Sequence, residues 1–156
     1  MKFRLMNRSW MASACLSLFL VSCDKDDGPR YTEYSIPANG NSGINALVRI
    51  TEKSATSFDL KVSLSGSKKD TVHVMKIYNG SPDNPGNVAI DLSNITGTGG
   101  PVSGQTSNIS QIKWTDGSNK TFNYDSIVKH TAFIRVNFSA FNSDSVVARG
   151  KIGKLN

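Results

Sequence analysis

The sequence has few of the residues on which disulfide frameworks, metal centres and nucleophilic catalysis usually depend. Its 156 residues include only two cysteines and two histidines. Two cysteines cannot staple a small disulfide-rich fold. The hydrophobic share of 38% and the formal net charge of +6 exclude a disordered chain of high net charge. The length predicts one domain with a single core.

The sequence also lacks an apolar run long enough to predict a transmembrane helix. The residues at 10–22 are all apolar or small, whereas a membrane-spanning helix needs about 20 apolar residues. The stretch follows the basic residues Lys2, Arg4 and Arg8 and ends just before Cys23. A short apolar segment after a basic one is typical of a secretory signal. We therefore predict a signal peptide at residues 1–22.

The end of this segment predicts a lipid anchor. The motif Leu20-Val21-Ser22-Cys23 resembles a bacterial lipobox, in which the cysteine becomes the first mature residue and is diacylated on its sulfur. Acyl chains contribute about 0.8 kcal/mol per buried methylene, so we expect Cys23 to hold the protein at a membrane. Cys15 would leave with the signal, and the mature chain would have no free thiol. The alternative is that Cys23 lies by chance near an ordinary cleavage site.

The segment after Cys23 predicts a flexible tether and indicates at which membrane the protein is anchored. We predict the lipidated cysteine and a flexible tether at residues 23–43, with a candidate first edge strand at Tyr31–Ile36. The run Lys25-Asp26-Asp27 resembles the acidic export tethers of surface lipoproteins, which favours the outer membrane with the domain facing the cell exterior. A generic linker and a periplasmic orientation are the alternatives. Loss of the three signal-peptide cations lowers the net charge from +6 to +3, so nucleic acid is not an expected partner.

From Ile44 onward the pattern predicts an all-β domain over residues 44–156. Phe58, Leu60, Val62 and Leu64 alternate with polar residues, as in a half-buried strand. Similar alternation occurs at 88–92, 134–138 and 146–152, and further strands are predicted at 44–51, 70–79, 110–115 and 121–128. Turn-forming residues separate these segments, for example at 65–67, 79–80, 84–86, 97–100 and 116–117. We predict an antiparallel sandwich or barrel of about seven to eight strands.

Two segments carry a family resemblance. Residues 70–92, DTVHVMKIYNGSPDNPGNVAIDL, and residues 130–152, HTAFIRVNFSAFNSDSVVARGKI, which end in Arg149-Gly150-Lys151-Ile152, resemble the centre and the C-terminal hairpin of the CHRD domain first described in chordin. The resemblance implies an Ig-like, CHRD-type β domain. The family often has His-x-His where this chain has Lys76-Ile77-Tyr78. A metal or redox role for those histidines therefore does not carry over.

The sequence predicts no catalytic residue, no cofactor and no metal site. A zinc site needs three or four ligands, but only His73 and His130 and a carboxylate such as Asp59 would be available. No Gly-x-Ser-x-Gly motif marks a nucleophilic serine. The other candidate carboxylates are expected at exposed positions or turns: Asp91, Asp125 and Asp144. An oxygen-ligated calcium site at Asp83, Asn84 and Asp91 is a weaker alternative, because EF-hand spacing is absent.

Aromatic residues supply the candidate ligand contacts. Trp114, Phe122 and Tyr124 fall on neighbouring predicted strands and could form a sugar-stacking platform, although such aromatics often belong to a core. Tyr78 is a further candidate, so Tyr78, Trp114 and Tyr124 are the predicted contacts. Three Asp-Ser/Thr-apolar triplets suggest O-glycosylation, at Thr71, Ser126 and Ser145.

The predicted function is a surface-exposed outer-membrane lipoprotein that binds a protein or glycan ligand. It would contact the membrane through Cys23 and would not be an enzyme. One alternative is an extracytoplasmic hydrolase or metal-dependent redox domain whose residues meet only in the fold. Another is a structural envelope protein.

Overall fold

The computed structural model describes residues 28–142 and 145–154. The predicted signal peptide, Cys23 and the acidic run after it lie outside these residues. Within them the chain is all-β with one short helix, and its elements follow in this order: β1 (Tyr31–Ile36), β2 (Ala46–Ser54), β3 (Ser57–Leu64), β4 (Val72–His73), β5 (Met75–Ser81), β6 (Asn84–Asp91), β7 (Ile95–Thr96), β8 (Val102–Ile109), β9 (Gln111–Lys113), β10 (Asn119–Thr121), α1 (Tyr124–Lys129), β11 (Thr131–Asn137) and β12 (Val146–Gly153).

Two four-stranded antiparallel sheets form the body of the domain. Sheet A has the strand order β1-β2-β3-β8, and sheet B has the order β12-β11-β5-β6. Two short ribbons, β4-β7 and β9-β10, extend them. The predicted all-β, antiparallel fold class is confirmed.

Alternating apolar residues from both sheets build one core. The predicted alternation in β3 is confirmed, because Phe58, Leu60, Val62 and Leu64 are all buried. Sheet B contributes inward-facing residues such as Ile77 and Ile134 to the same core. Full burial of such a side chain stabilises the fold by about 1.5–3 kcal/mol. The inner faces therefore hold the sheets together and leave the outer faces available for other roles.

The sandwich begins earlier than residue 44. The candidate edge strand is confirmed as β1, which pairs with β2 and buries Tyr34 and Ile36. Strand β1 also approaches β12, and a Cβ atom added at Gly150 would lie only 3.1 Å from Ile36 Cδ1. Glycine in a strand is typical of such a close approach. The predicted tether at 23–43 is therefore too long, since its second half is part of the sandwich.

The strand predicted at 121–128 is wrong. Residues Tyr124–Lys129 form helix α1, whose N-cap Asn123 accepts a hydrogen bond from the Ser126 amide at 3.0 Å. An Asn side chain at this position satisfies one of the free amides of the first turn. The helix buries only Tyr124 and Ile127, so its apolar pattern is too short to be distinguished from that of a strand.

Two further elements differ from the prediction. Strand β8 was not predicted because it is polar, and it is an edge strand in which only Ile109 is buried. The turn predicted at 84–86 instead lies in β6, where Pro85 pairs with Gly80. Residues 82 and 83 connect the hairpin, a two-residue loop of the kind common between antiparallel strands.

Candidate functional site

The outer face of sheet B carries a row of basic residues. Arg135 on β11 lies opposite Arg149 on β12 and opposite Lys76 on β5. Asp91 on β6 lies opposite Lys76 and completes the row. The three cations thus lie side by side on the adjacent strands β12, β11 and β5. Like charges placed directly opposite each other destabilise a sheet, so this row needs an explanation.

A second row on the same face is aromatic. Phe133 lies opposite both Tyr78 and Lys151. The Tyr78 and Phe133 rings stack with centroids 5.1 Å apart and planes 16° apart. Phe133 points away from the core and yet is only 3% exposed, because neighbouring side chains cover it. Tyr78 keeps partial exposure. Such offset stacking adds about 0.5–1.5 kcal/mol to the burial of the rings.

These rows form a cleft of about 230 Å³, which we call the Tyr78 cleft. It is lined by residues of the β5-β6 hairpin and of strands β5, β11 and β12, namely Tyr78, Pro82, Pro85, Phe133, Arg135, Val146 and Arg149. The cleft thus combines flat apolar side chains with two guanidinium groups. Guanidinium groups bind carboxylate, sulfate or phosphate through paired hydrogen bonds.

Two of the basic residues of this face have polar partners close by. Lys76 pairs with Asp91 at 3.1 Å, and Arg135 Nε donates to Asn137 Oδ1 at 3.0 Å. Among residues 28–142 and 145–154, no carboxylate forms an ion pair with Arg149 or Lys151. Arg149 lies exposed at the cleft.

Other depressions offer less chemistry. One has a volume of about 630 Å³ and lies at one end of sheet A, but none of the side chains that line it is ionisable. A cleft of about 220 Å³ on the outer face of sheet A contains Arg49, Asp59 and Lys61, charges of both signs. A third, of about 360 Å³, lies beside Phe138 and Phe141. The Tyr78 cleft differs from them in combining a stacked aromatic pair with two arginine side chains.

Trp114 lies away from this cleft, at the end of β9. Its half-buried ring lies 5.0 Å from the His130 ring, and Lys120 Nζ lies 3.8 Å from its centroid. The Trp114 backbone carbonyl accepts a hydrogen bond from Asn87 at 2.7 Å. Trp114 therefore covers a polar cluster, with a cation over its ring.

The predicted platform of Trp114, Phe122 and Tyr124 does not form. Phe122 is buried, and Tyr124 is only 7% exposed. The Tyr124 hydroxyl lies 2.7 Å from Thr32 Oγ1, and the Arg30 guanidinium lies 4.9 Å from its ring centroid. Tyr124 thus lies apart from the Tyr78 cleft, with its ring turned toward sheet A, and its role as a ligand contact stays a prediction. Tyr78 is the predicted contact that lies in the cleft.

Each of the two histidines forms a hydrogen bond with an asparagine of the domain. His73 is fully buried, and its Nδ1 donates to the Asn137 carbonyl at 3.2 Å. His130 Nε2 donates to Asn79 Oδ1 at 2.7 Å, and partial burial lowers the pKa of His130 below its usual 6.5. In the described part of the chain, no three His, Cys, Asp or Glu side chains are grouped so as to hold a metal ion. The zinc and calcium alternatives gain no ligand set from these residues.

The candidate carboxylates are distributed among separate surface interactions. Asp59 accepts from the Asn108 amide at 2.8 Å, and Asp125 pairs with Arg30 at 3.0 Å. The Arg30 hydrogen bond lowers the pKa of the Asp125 carboxyl. Asp91 pairs with Lys76, and Asp144 lies outside the described residues.

Of the predicted O-glycosylation positions, Ser126 is engaged in the cap of α1, where its hydroxyl donates to Asn123 Oδ1 at 2.8 Å. Thr71 and Ser145 are partly exposed. Modification at Thr71 and Ser145 stays a prediction.

The sequence motifs do not single out the cleft residues other than Tyr78, and they do not single out Asn79. Asn79 was expected in a turn but is buried in β5, where its amide donates to Asn87 Oδ1 at 2.8 Å and to the Lys113 carbonyl at 2.9 Å. One signal was present, because Asn79 is in phase with the apolar Met75 and Ile77. The alternation in β11 likewise assigns Phe133 and Arg135 to the face opposite Ile134.

Comparisons of the chain with protein-family models, with curated proteins and with solved structures find no match. Among the described residues, no helix has the length and apolar character needed to cross a membrane.

Proposed function

We propose that this protein is a lipoprotein of the outer membrane that presents one CHRD-like β domain as a binding module. In this proposal Cys23 carries the lipid, the domain faces the cell exterior, and the Tyr78 cleft holds part of a protein or glycan ligand. The observation that carries the proposal is the combination of the Tyr78-Phe133 stack with the exposed Arg149 in one cleft. Aromatic residues and arginine are the residue types that most often dominate binding energies.

The distance between Cys23 and the sandwich is consistent with display close to a membrane. Strand β1 begins at Tyr31, so seven residues separate it from Cys23. Seven residues reach at most about 25 Å when fully extended. The first edge strand would therefore start within about 25 Å of the lipidated cysteine.

The other candidate functions lack a supporting observation of this kind. A hydrolase or redox enzyme would need converging catalytic or ligating groups, and the described carboxylates and histidines lie in the separate interactions given above. A structural envelope role predicts no particular use for a cleft that combines stacked rings with exposed arginine.

The lipid anchor can be tested with the two cysteines of the chain. Cys23→Ala should release the protein from the membrane fraction, because the acylated sulfur would be lost. Cys15→Ala is the matched control and should leave the protein in that fraction. Fractionation and acyl labelling of both variants would measure this. Retention of Cys23→Ala after a carbonate wash would contradict lipidation.

The binding function can be tested on intact cells that express the full chain. Fluorescent polysaccharides and extracellular matrix proteins would serve as probes, with Tyr78→Ala compared against Tyr31→Ala. Tyr31 is 57% exposed and lies on sheet A, so it controls for loss of a surface tyrosine. We expect Tyr78→Ala alone to lose binding. Equal binding by the two variants, or no binding of any probe by wild-type cells, would contradict the proposal.

A further inference from the structure

We infer that two copies of this chain associate about a two-fold axis through the end of the sandwich that carries the β11-β12 loop. The surface consists of residues 68–72 and 138–141, which surround the cleft of about 360 Å³ beside Phe138, and we call it the Phe141 patch. It shares no residue with the Tyr78 cleft. The inference therefore goes beyond the proposed function and does not depend on it.

The first step is the exposure of apolar side chains in this patch. Phe141 is fully exposed, whereas the four other phenylalanines of the described residues are buried or half-buried. Val72, which also lines the cleft, is 38% exposed. Adjoining exposed apolar side chains are typical of a surface that associates with another molecule.

The second step is the fit between the Phe141 ring and the cleft beside it. A cavity of about 150 Å³ is enough to bind benzene, so a cleft of about 360 Å³ has room for a phenyl ring. Phe141 lies at the rim and does not fill the cleft, since its side chain is fully exposed. A two-fold axis beside the patch would bring the ring of each copy to the cleft of the other. One surface would then supply both the inserted group and its receptor, as in an isologous dimer.

The third step is the charge of the patch. Lys69 and Asp70 are adjacent, exposed and of opposite sign, and neither forms an ion pair within residues 28–142 and 145–154. When two such turns meet about a two-fold axis, the lysine of each copy faces the aspartate of the other. An anionic membrane surface would attract the lysine but repel the aspartate. The charges therefore favour a second copy as the partner.

The fourth step is the fixed conformation of the patch. The Asp70 amide donates to the Gly97 carbonyl at 3.0 Å, and the Gly97 amide donates to the Thr71 carbonyl at 2.8 Å. These bonds hold Asp70 at a φ of 57°, a conformation that residues other than glycine adopt only where their surroundings fix it. Across the cleft, Ser139 Oγ accepts from the Asn142 amide at 3.1 Å. A surface held in this way loses little conformational freedom on association.

The fifth step is the position of the patch in the anchored protein. Strand β1 begins at Tyr31 and runs toward the end that carries the patch, where the Asn39 amide donates to the Val147 carbonyl at 2.8 Å. The six residues of β1 span about 20 Å. A protein anchored through Cys23 would therefore present the patch at the end of the sandwich opposite to its tether, where another copy can reach it.

The inference can be tested by sedimentation equilibrium of the full-length lipoprotein in a density-matched non-ionic detergent. We expect a reversible dimer whose dissociation constant rises about tenfold in Phe141→Ser, since an aromatic residue at the centre often dominates the energy of an interface. Tyr31→Ser is the matched control, because Tyr31 is 57% exposed and lies at the opposite end of the sandwich. It should leave the dissociation constant unchanged. Circular dichroism would check that both variants are folded.

An exchange of charges tests the two-fold arrangement. Lys69→Asp and Asp70→Lys should each weaken the dimer when measured alone, because each variant would bring like charges together. An equimolar mixture of the two variants should recover the association, since every contact would then join opposite charges. The recovery should diminish as salt is added, because exposed charges are screened.

The outcomes separate this inference from the proposed function. A monomer at all concentrations would overturn the inference, and quenching of Phe141→Trp fluorescence by brominated lipid vesicles would then assign the patch to a lipid surface. An unchanged dissociation constant in Phe141→Ser would place the interface elsewhere and overturn the inference. Failure of the mixture to recover would overturn the pairing of Lys69 with Asp70. Tyr78→Ala should leave the dimer intact, so ligand binding and association report on the two proposals independently.

Discussion

The outer faces of the two sheets differ in how their charges are paired. On sheet A, Arg49 donates to Glu33 at 2.8 Å, and Asp59 accepts from a backbone amide of the same sheet. On sheet B, Arg149 lies opposite Arg135 and lacks a carboxylate partner in the part of the chain that the structure describes. On both sheets the outer face is formed by every second residue of each strand. The pairing of charges, rather than their number, distinguishes a solvated face from a candidate binding face.

The inner faces differ as well. Sheet A buries apolar side chains such as Val48 and Leu60, whereas sheet B also buries Asn79. The Asn79 amide is satisfied by Asn87, by the Lys113 carbonyl and by His130. Buried polar groups are almost always hydrogen-bonded, since an unpaired one costs about 1–3 kcal/mol. These hydrogen bonds connect β5 with β6, with β9 and with the residue before β11.

The largest expected difference between the sheets is in how much the apolar residues of their outer faces contribute to the free energy of unfolding. Phe133→Ala should lower the free energy of unfolding by about 3 kcal/mol, because it removes a buried ring and its stack with Tyr78. Leu47→Ala on sheet A is the control. Leu47 is 39% exposed, so its truncation should cost less than about 1 kcal/mol. Urea denaturation would measure both, and equal losses would show that the Phe133 side chain is not packed as described.

A smaller difference should appear as the pH falls. Burial lowers the pKa of His130 below 6.5 in the folded state, so below pH 6.5 the unfolded chain binds more protons than the folded one. The stability contribution is complete above pH 6.5 and is lost as the pH falls from there toward the lowered pKa. In His130→Gln this loss should be absent. Urea midpoints measured between pH 7.5 and pH 5 would test this, and parallel profiles for the two proteins would refute it.

The smallest expected effects concern the surface ion pairs. Glu33→Gln on sheet A and Asp91→Asn on sheet B should each change the free energy of unfolding by no more than about 1 kcal/mol, since exposed pairs contribute little. Thermal midpoints of the two variants would measure this, with the wild-type protein as reference. A loss well above about 1 kcal/mol in either variant would show that its ion pair contributes more than an exposed pair usually does.

Much of the fold follows from local pattern. The alternation of Phe58–Leu64 predicts β3 and its buried face, because side chains point to opposite sides of a strand at every second residue. The same logic fails for β8, which buries almost nothing, and for α1, whose two buried residues are too few to identify a helix by their spacing. The secondary structure of such short segments depends on their position in a sheet and on tertiary packing. Neither can be inferred from a few neighbouring residues.

For the candidate site too, some features follow from the local sequence and others only from the tertiary structure. The sequence alone assigns a β domain, indicates a lipid anchor at Cys23 and marks Tyr78 as a candidate contact, because each of these depends on neighbouring residues. The cleft depends on contacts between strands that lie far apart in the chain. Tyr78 meets Phe133, and Arg135 meets Arg149, through the register of β5, β11 and β12. Register is set by the packing of inner faces against one core, so the charge and shape of the outer face emerge only when the sheets assemble.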